Sequence, residues 1–138
     1  MRTEQSIEID APIDEVWAAL TTADQIEQWF LGVRTETDWR PGSPIVHRGE
    51  YQGKPYEDAG TILEFEPPNR LVHTHWSPAS GLPNVPENHE VVRWELGERD
   101  GGTVLTIKES NLPSEEAKET SERTWRVVLE NLKELLEG

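Results

Sequence analysis

Three histidines are the residues whose type and spacing could do chemistry. His73 and His75 stand two apart in a β-rich run, Arg70-Leu-Val-His-Thr-His-Trp76. The strand period of two puts both on one face with Leu71. His47 lies in another such run and shares a face with Ile45, Gly49 and Tyr51. Imidazole gains or loses a proton near neutral pH, so rings facing a cavity would offer a ligand handle or a general acid–base group. Two imidazoles at this spacing could also supply two metal ligands, with a third from His47 or a carboxylate. A plainer reading puts all three at a solvated face or rim, hydrogen-bonded and inert, because Val72, Thr74 and Trp76 make an equally good inner face. We expect His47 and His73 to touch a ligand, and we expect no metal and no cofactor.

Other chemistry is thinly represented. There is no Gly-x-Ser-x-Gly elbow, Walker loop or dinucleotide-binding glycine motif, so no catalytic motif supports a hydrolase, kinase or oxidoreductase. The absence of cysteine removes disulfides, thiolate ligands and thiol nucleophiles together. Arg93, Glu95, Lys108 and Glu109 are embedded in strand-like runs, where cross-strand pairing on a wet face is the ordinary expectation. The net charge of −14, from 13 basic against 27 acidic residues, opposes binding to nucleic acid or to anionic lipid. It reads as a solvated surface, or as an attraction for a basic partner. No apolar run approaches the roughly 20 residues of a membrane span, and no signal-peptide core is present, which makes the cytoplasm the expected location and membrane insertion unexpected.

The elements that must position these groups follow from pattern. At 138 residues, with six tryptophans offsetting a hydrophobic content of 34%, the chain reads as a single domain over 1–138. Ile7 and Ile9 alternate with Glu8 and Asp10, which predicts a strand over 3–10. Asp10 or Ala11 is expected to cap a helix with Pro12 in its first turn and with Ile13, Val16, Trp17 and Leu20 as its apolar stripe. Thr22 with Gln25 reads as a capping box for a second short helix carrying Ile26, Trp29 and Phe30, which Gly32 ends. Strands are expected near 33–39, 44–52, 58–66, 69–76, 89–98 and 103–110, joined by short antiparallel connections. The Pro-rich stretch 77–87 is longer than a hairpin needs and reads as a lid or rim. A long helix from Ser114 to Glu137 closes the chain. Its second half has a thick stripe of Trp125, Val128, Leu129, Leu132 and Leu136, while its first half offers only Ala117, Ser121 and Thr124. A thick stripe seals a core; a thin one leaves space beneath.

Ala11-Pro12-x-x-x-Val16-Trp17-x-Ala19-Leu20-Thr21, then Trp29-Phe30 and Trp39-x-Pro41-Gly42, resemble the START-like SRPBCC superfamily, within it the group named after the activator of heat-shock-protein-90 ATPase. Further matches are Gly60-Thr-Ile-Leu-Glu-Phe-Glu-Pro-Pro-Asn-Arg-Leu-Val72, Gly102-Thr-Val-Leu-Thr106 and Trp125-x-x-x-Leu129-x-x-Leu132. The resemblance implies an α+β helix-grip fold: a curved antiparallel sheet of six to seven strands wrapped around a long C-terminal helix, two short helices after the first strand, and a cavity between sheet and helix. Relatives bind lipids, sterols, hormones or polyketides, some are cyclases or aromatases, and some assist chaperones. The expected function is therefore binding of a hydrophobic or amphipathic small molecule. The alternatives are a cyclase- or aromatase-like enzyme using a cavity histidine, and a stress protein with a chaperone partner. Either a monomer or a homodimer would fit. The expected pocket residues are Trp29, Trp39, His47, Leu63, Phe65, His73 and Trp94, with Ala117, Ser121, Thr124, Trp125 and Val128 from the last helix.

Overall fold

The two periodicities resolve into seven strands and three α-helices in a computed structural model that describes residues 1–138. In order these are β1 (Thr3–Ile9), α1 (Ile13–Thr21), α2 (Ala23–Trp29), β2 (Arg34–Thr37), β3 (Pro44–Tyr51), β4 (Lys54–Glu66), β5 (Arg70–His75), β6 (Glu90–Arg99), β7 (Gly102–Ser110) and α3 (Glu115–Glu137). Two short 3-10 turns, Pro78–Ser80 and Pro86–Asn88, lie in the β5–β6 loop. The strands form one curved sheet in the order β1-β7-β6-β5-β4-β3-β2, antiparallel at every step. With α3 laid against its inner face and α1 and α2 beside it, this is the α+β helix-grip arrangement.

Local signals set most boundaries. Ser114 caps α3 by accepting a hydrogen bond from the Ala117 backbone N–H at 3.1 Å, and Glu115 and Glu116 sit in the first turn, where the helix dipole favours acids. Two expected caps do not form. Pro12 occupies the N-cap of α1, so neither Asp10 nor Ala11 does, and the Asp10 backbone N–H donates instead to Glu137 Oε2 at 2.7 Å. Thr22 is the N-cap of α2, but its side chain makes no capping bond, so the capping box is absent. Strand β4 begins at Lys54, four residues before the expected start, because Gly53 turns the chain tightly enough to pair Tyr51 with Lys54.

One core holds the inner face to the helices. Ile9, Ile62, Leu105 and Ile107 from the sheet meet Val16, Trp29, Val128 and Leu132 from the helices, all with essentially no exposure. Each such side chain contributes about 1.5–3 kcal/mol on burial. The buried residues of α3 are Trp125, Val128, Leu129 and Leu132, and none falls among its first ten, Glu115–Thr124.

Candidate functional site

The space over that unfilled half is a cavity of about 780 Å³ between α3 and the sheet. It opens to solvent among exposed residues of the β3–β4 hairpin (Tyr51, Lys54, Pro55), the β5–β6 loop (Ala79, Ser80) and the start of α3 (Glu116, Thr120). The loop expected as a rim thus contributes to the mouth. Ala117, Ser121, Thr124 and Trp125 form the helical side. Trp29, Trp39, His47, His73 and Trp94 line it from the rest of the chain.

Three residues expected in this pocket lie elsewhere. Leu63 is 45% exposed, because the β4–β5 register shifts between Ile62 and Glu64. Such a bulge adds a residue to one strand. Ile62 and Phe65 therefore point inward with two residues between them, and Leu63 is turned out. Phe65 packs against Trp17 at 5.4 Å and Trp39 at 6.2 Å between ring centroids, filling core and not lining the cavity. Val128 is fully buried one turn past Trp125, whose indole closes that end of the space.

The apolar part is aromatic. Trp29 stacks on Phe30 at 5.5 Å, Phe30 tilts against Trp125 at 5.6 Å, and Trp94 meets Trp125 edge-on at 5.2 Å. The indole N–H groups of Trp29, Trp94 and Trp125 are consumed inside the protein. Trp29 Nε1 donates to the Ala19 carbonyl at 2.9 Å, Trp94 Nε1 to His73 Nε2 at 3.2 Å, and Trp125 Nε1 to Glu109 Oε1 at 2.9 Å. The rings thus present faces and edges to the cavity.

The polar part comes from strand register. On β5 it is Leu71, His73 and His75 that line the cavity, while Val72 faces the other way, opposite Glu64 and Arg93. His75 pairs across with Glu90, and His47 with Asp58. His75 Nε2 lies 2.9 Å from Asp58 Oδ2, and its Nδ1 lies 3.5 Å from Glu90 Oε2. The Glu90 carboxyl lies close enough to Glu109 to shift its titration, and Ser121 stands near the same group. A line of ionisable groups, Asp58–His75–Glu90–Glu109, therefore runs along the wall. Of these, Asp58, Glu90 and Glu109 escaped the sequence reading. Glu109 was expected on the wet face with Arg93, Glu95 and Lys108, yet it is 3% exposed. Its alternation with Thr103, Leu105 and Ile107 was the available signal, and Glu90 similarly precedes Val92, Trp94 and Leu96. Lys108 and Glu95 do pair outside, at 2.7 Å.

Each imidazole has a different role. His73 Nδ1–H donates to the Thr74 carbonyl at 3.0 Å, and Nε2 accepts from Trp94, so both nitrogens are engaged in the neutral form. Burial pushes its pKa down to about 4. His47 Nδ1 bonds Thr35 Oγ1 at 3.0 Å, and burial, with the neighbouring His73 and His75, lowers its pKa to about 3. Burial also disfavours the charged form of His75, but Asp58 and Glu90 outweigh it and hold the pKa up at about 9, so this ring is a cation at neutral pH. A neutral ring with both nitrogens bonded (His73), a clamped cation (His75) and a ring whose pKa is lowered to about 3 (His47) are all poor general bases near neutral pH. No group of three or more His, Asp or Glu side chains is arranged to hold a metal ion.

The group poised near neutrality is Glu109. Burial and then the adjacent Glu90 carboxylate raise its pKa to about 7. Because Trp125 donates to this carboxyl, its fluorescence should report the titration. We expect a transition centred near pH 7 that disappears in Glu109→Gln, the isostere of the protonated acid. A featureless emission profile from pH 5 to 9 would contradict the assignment.

Comparison with known proteins bears on this arrangement. Residues 10–137 match the model of the family described as Activator of Hsp90 ATPase homolog 1-like protein. No curated protein matches the chain. Among solved structures, ChR145 from Cytophaga hutchinsonii is 38% identical with a TM-score of 0.84, covering 99% of this chain and 94% of its own. CalU16 from Micromonospora echinospora is 28% identical with a TM-score of 0.77, covering 99% of this chain and 74% of its own. A structure described as the Aha1 dimer from Colwellia psychrerythraea is 20% identical with a TM-score of 0.76, covering 99% and 96%, and shares the fold.

Proposed function

This chain belongs to the Activator of Hsp90 ATPase homolog 1-like family, and from that premise we propose that it binds an amphipathic small molecule in the cavity between α3 and the sheet. The observation that carries the reading is the cavity itself. Its 780 Å³ falls within the roughly 300–1,000 Å³ usual for ligand sites. It is walled by aromatic rings and roofed by small helical residues, and polar groups are concentrated on one wall. A folded chain under pressure only for stability would close such a space, since unfilled volume forfeits packing contacts.

Ser121→Trp tests it. Ser121 lines the roof, where an indole would occupy the space without replacing a core contact. The neutral probe N-phenyl-1-naphthylamine should brighten on binding the parent protein, and the variant should bind it about tenfold more weakly or worse. The variant's melting temperature should stay within a few degrees of the parent's. Equal probe binding by both proteins would defeat the reading, as would a variant that unfolds.

The enzymatic alternative finds its support in a group other than the histidines. Glu109, paired with Glu90 and titrating near neutral pH, is the cavity group suited to proton transfer. A chaperone partner is the reading the family description favours, and the acidic surface is the feature that would serve it. Capture of a chaperone at low salt, lost at moderate salt, is the signature of such a contact.

A further inference from the structure

The cavity's polar wall is rich in carboxylate acceptors, and its one cation is already paired. Asp58 Oδ2 is held by His75, but Asp58 Oδ1 is buried with no hydrogen-bond partner. That carboxylate is therefore under-compensated, and a positive charge brought into the cavity beside it would favour its ionised form. Three carboxyl groups, Asp58, Glu90 and Glu109, share the wall with a single cation, His75. Both nitrogens of His75 already face carboxylates, and His73 is neutral with both nitrogens bonded. His47 is neutral, with one nitrogen spent on Thr35. The other donors are the second nitrogen of His47, the Trp39 indole N–H, hydroxyls that accept as readily as they donate, and Lys54, which stands exposed at the mouth; of these only Lys54 carries a positive charge. The aromatic end lies close by: His47 has its ring 6.2 Å from Phe30 and 6.1 Å from His75. Aromatic faces favour a cation over an anion as well.

We propose that the cavity selects guests with an aromatic body and a hydrogen-bond-donating or cationic head, of the arylalkylamine type, over carboxylates or phosphates with the same body. This rests on the cavity-binding reading and adds the polarity of the head. A carboxylate here would meet Asp58, Glu90 and Glu109 with no unpaired buried cation to receive it. A primary ammonium brings a positive charge and three donors to a wall rich in carboxylate acceptors.

Three probes with one body separate the possibilities: 1-naphthylmethylamine, 1-naphthylmethanol and 1-naphthoate. They would be titrated by calorimetry at about 0.15 M salt, where attraction to the acidic surface at large is screened. The amine should bind tightest, the alcohol next, and the acid about tenfold or more below the amine. The amine's binding should be lost in Ser121→Trp, which separates the cavity from the outer surface. Asp58→Asn should narrow the gap between amine and acid, and Glu90→Gln gives the same comparison if the first variant does not fold. An acid that binds as well as the amine overturns the proposal and leaves the cavity reading intact. Failure of all three probes overturns both, and amine binding that survives Ser121→Trp overturns this one by assigning it to the surface.

Discussion

Gly60→Ala is expected to leave little folded protein. The glycine lies in β4 where that strand runs against the end of β5, and a Cβ there would overlap the Thr74 carbonyl oxygen and sit 2.7 Å from the carbonyl carbon. Backbone cannot swing aside as a side chain does. The neighbouring pairings tie it down: Ala59 and Trp76 exchange backbone hydrogen bonds at 2.9 and 2.7 Å, and the Thr61 N–H donates to Thr74 Oγ1 at 2.9 Å. The same Thr74 carbonyl receives the His73 Nδ1–H, so displacing it would turn a cavity imidazole as well. We expect a loss of more than about 4 kcal/mol, a large part of the ~5–15 kcal/mol that holds a typical domain together. Gly49→Ala is the control. Its added methyl would meet the Tyr56 phenol, a flexible side chain on a partly exposed strand, and should cost far less. Thermal melts by circular dichroism compare the two; a Gly60→Ala protein melting within a few degrees of the parent would show that the strands can part.

The second large effect is expected at His75. Replacing it by alanine leaves Asp58 and Glu90 as partly buried carboxylates without their shared cation, and breaking such a pair costs up to the roughly 3–5 kcal/mol of a fully buried one. The pH dependence identifies the cause. The folded pKa of about 9 lies above the ordinary 6.5, so the folded state holds the proton more tightly. The stability this provides is complete below pH 6.5 and is lost as pH rises through 9. The difference amounts to about 3 kcal/mol at ~1.4 kcal/mol per pH unit. Glu109 has the same sign but completes its change near pH 7, below most of this window. Urea unfolding at pH 7 and pH 10 should therefore show the parent weakening by a few kcal/mol while His75→Ala changes little. A variant within 1 kcal/mol of the parent at pH 7, an amount on the order of an exposed pair, would mean that solvent reaches the carboxylates.

On acidification the other two histidines act in the opposite sense. His47 and His73 have folded pKa values of about 3 and 4, below the ordinary 6.5, so the unfolded chain takes up protons first. Their effect is to reduce stability as pH falls below 6.5. Three imidazoles, with the His47 ring centroid 6.1 Å from those of both His73 and His75, thus respond to pH in two directions. Chemical identity does not decide the direction; the partners do. Two carboxylates surround one ring, while an indole, a carbonyl or a hydroxyl meets the others.

The fold was legible because its signals are local and repeated. The Ile13–Leu20 stripe, the thick half of α3 against its thin half, the Ser114 cap and the turns at Gly53 and Asp100-Gly101 each act over a few residues, and hydrophobic period alone distinguishes helix from strand. Ala117, Ser121, Thr124 and Trp125 could be placed on the cavity side from sequence for the same reason: a helix face is determined by spacing. Val128 was the exception, since spacing cannot say where along a face the space ends. That depends on how far the Trp125 indole reaches across to Trp94.

Strand residues were legible only where alternation stayed in phase. One extra residue near Leu63 turned that side chain outward and no local pattern announced it, because a bulge is a relation between two strands. The inner face of β5 was open for the same reason: Leu71-His73-His75 and Val72-Thr74-Trp76 alternate equally well, and only pairing with β4 and β6 chooses between them. The acidic wall lies furthest from sequence. Asp58, His75, Glu90 and Glu109 come from four different strands, and each alone resembles a wet-face charge. Sequence determined a sheet gripping a helix with a thin place in its packing, because periodicity and side-chain volume are properties of neighbours along the chain. Tertiary structure decided which charges face that hollow and which are protonated, because burial and pairing are properties of neighbours in space.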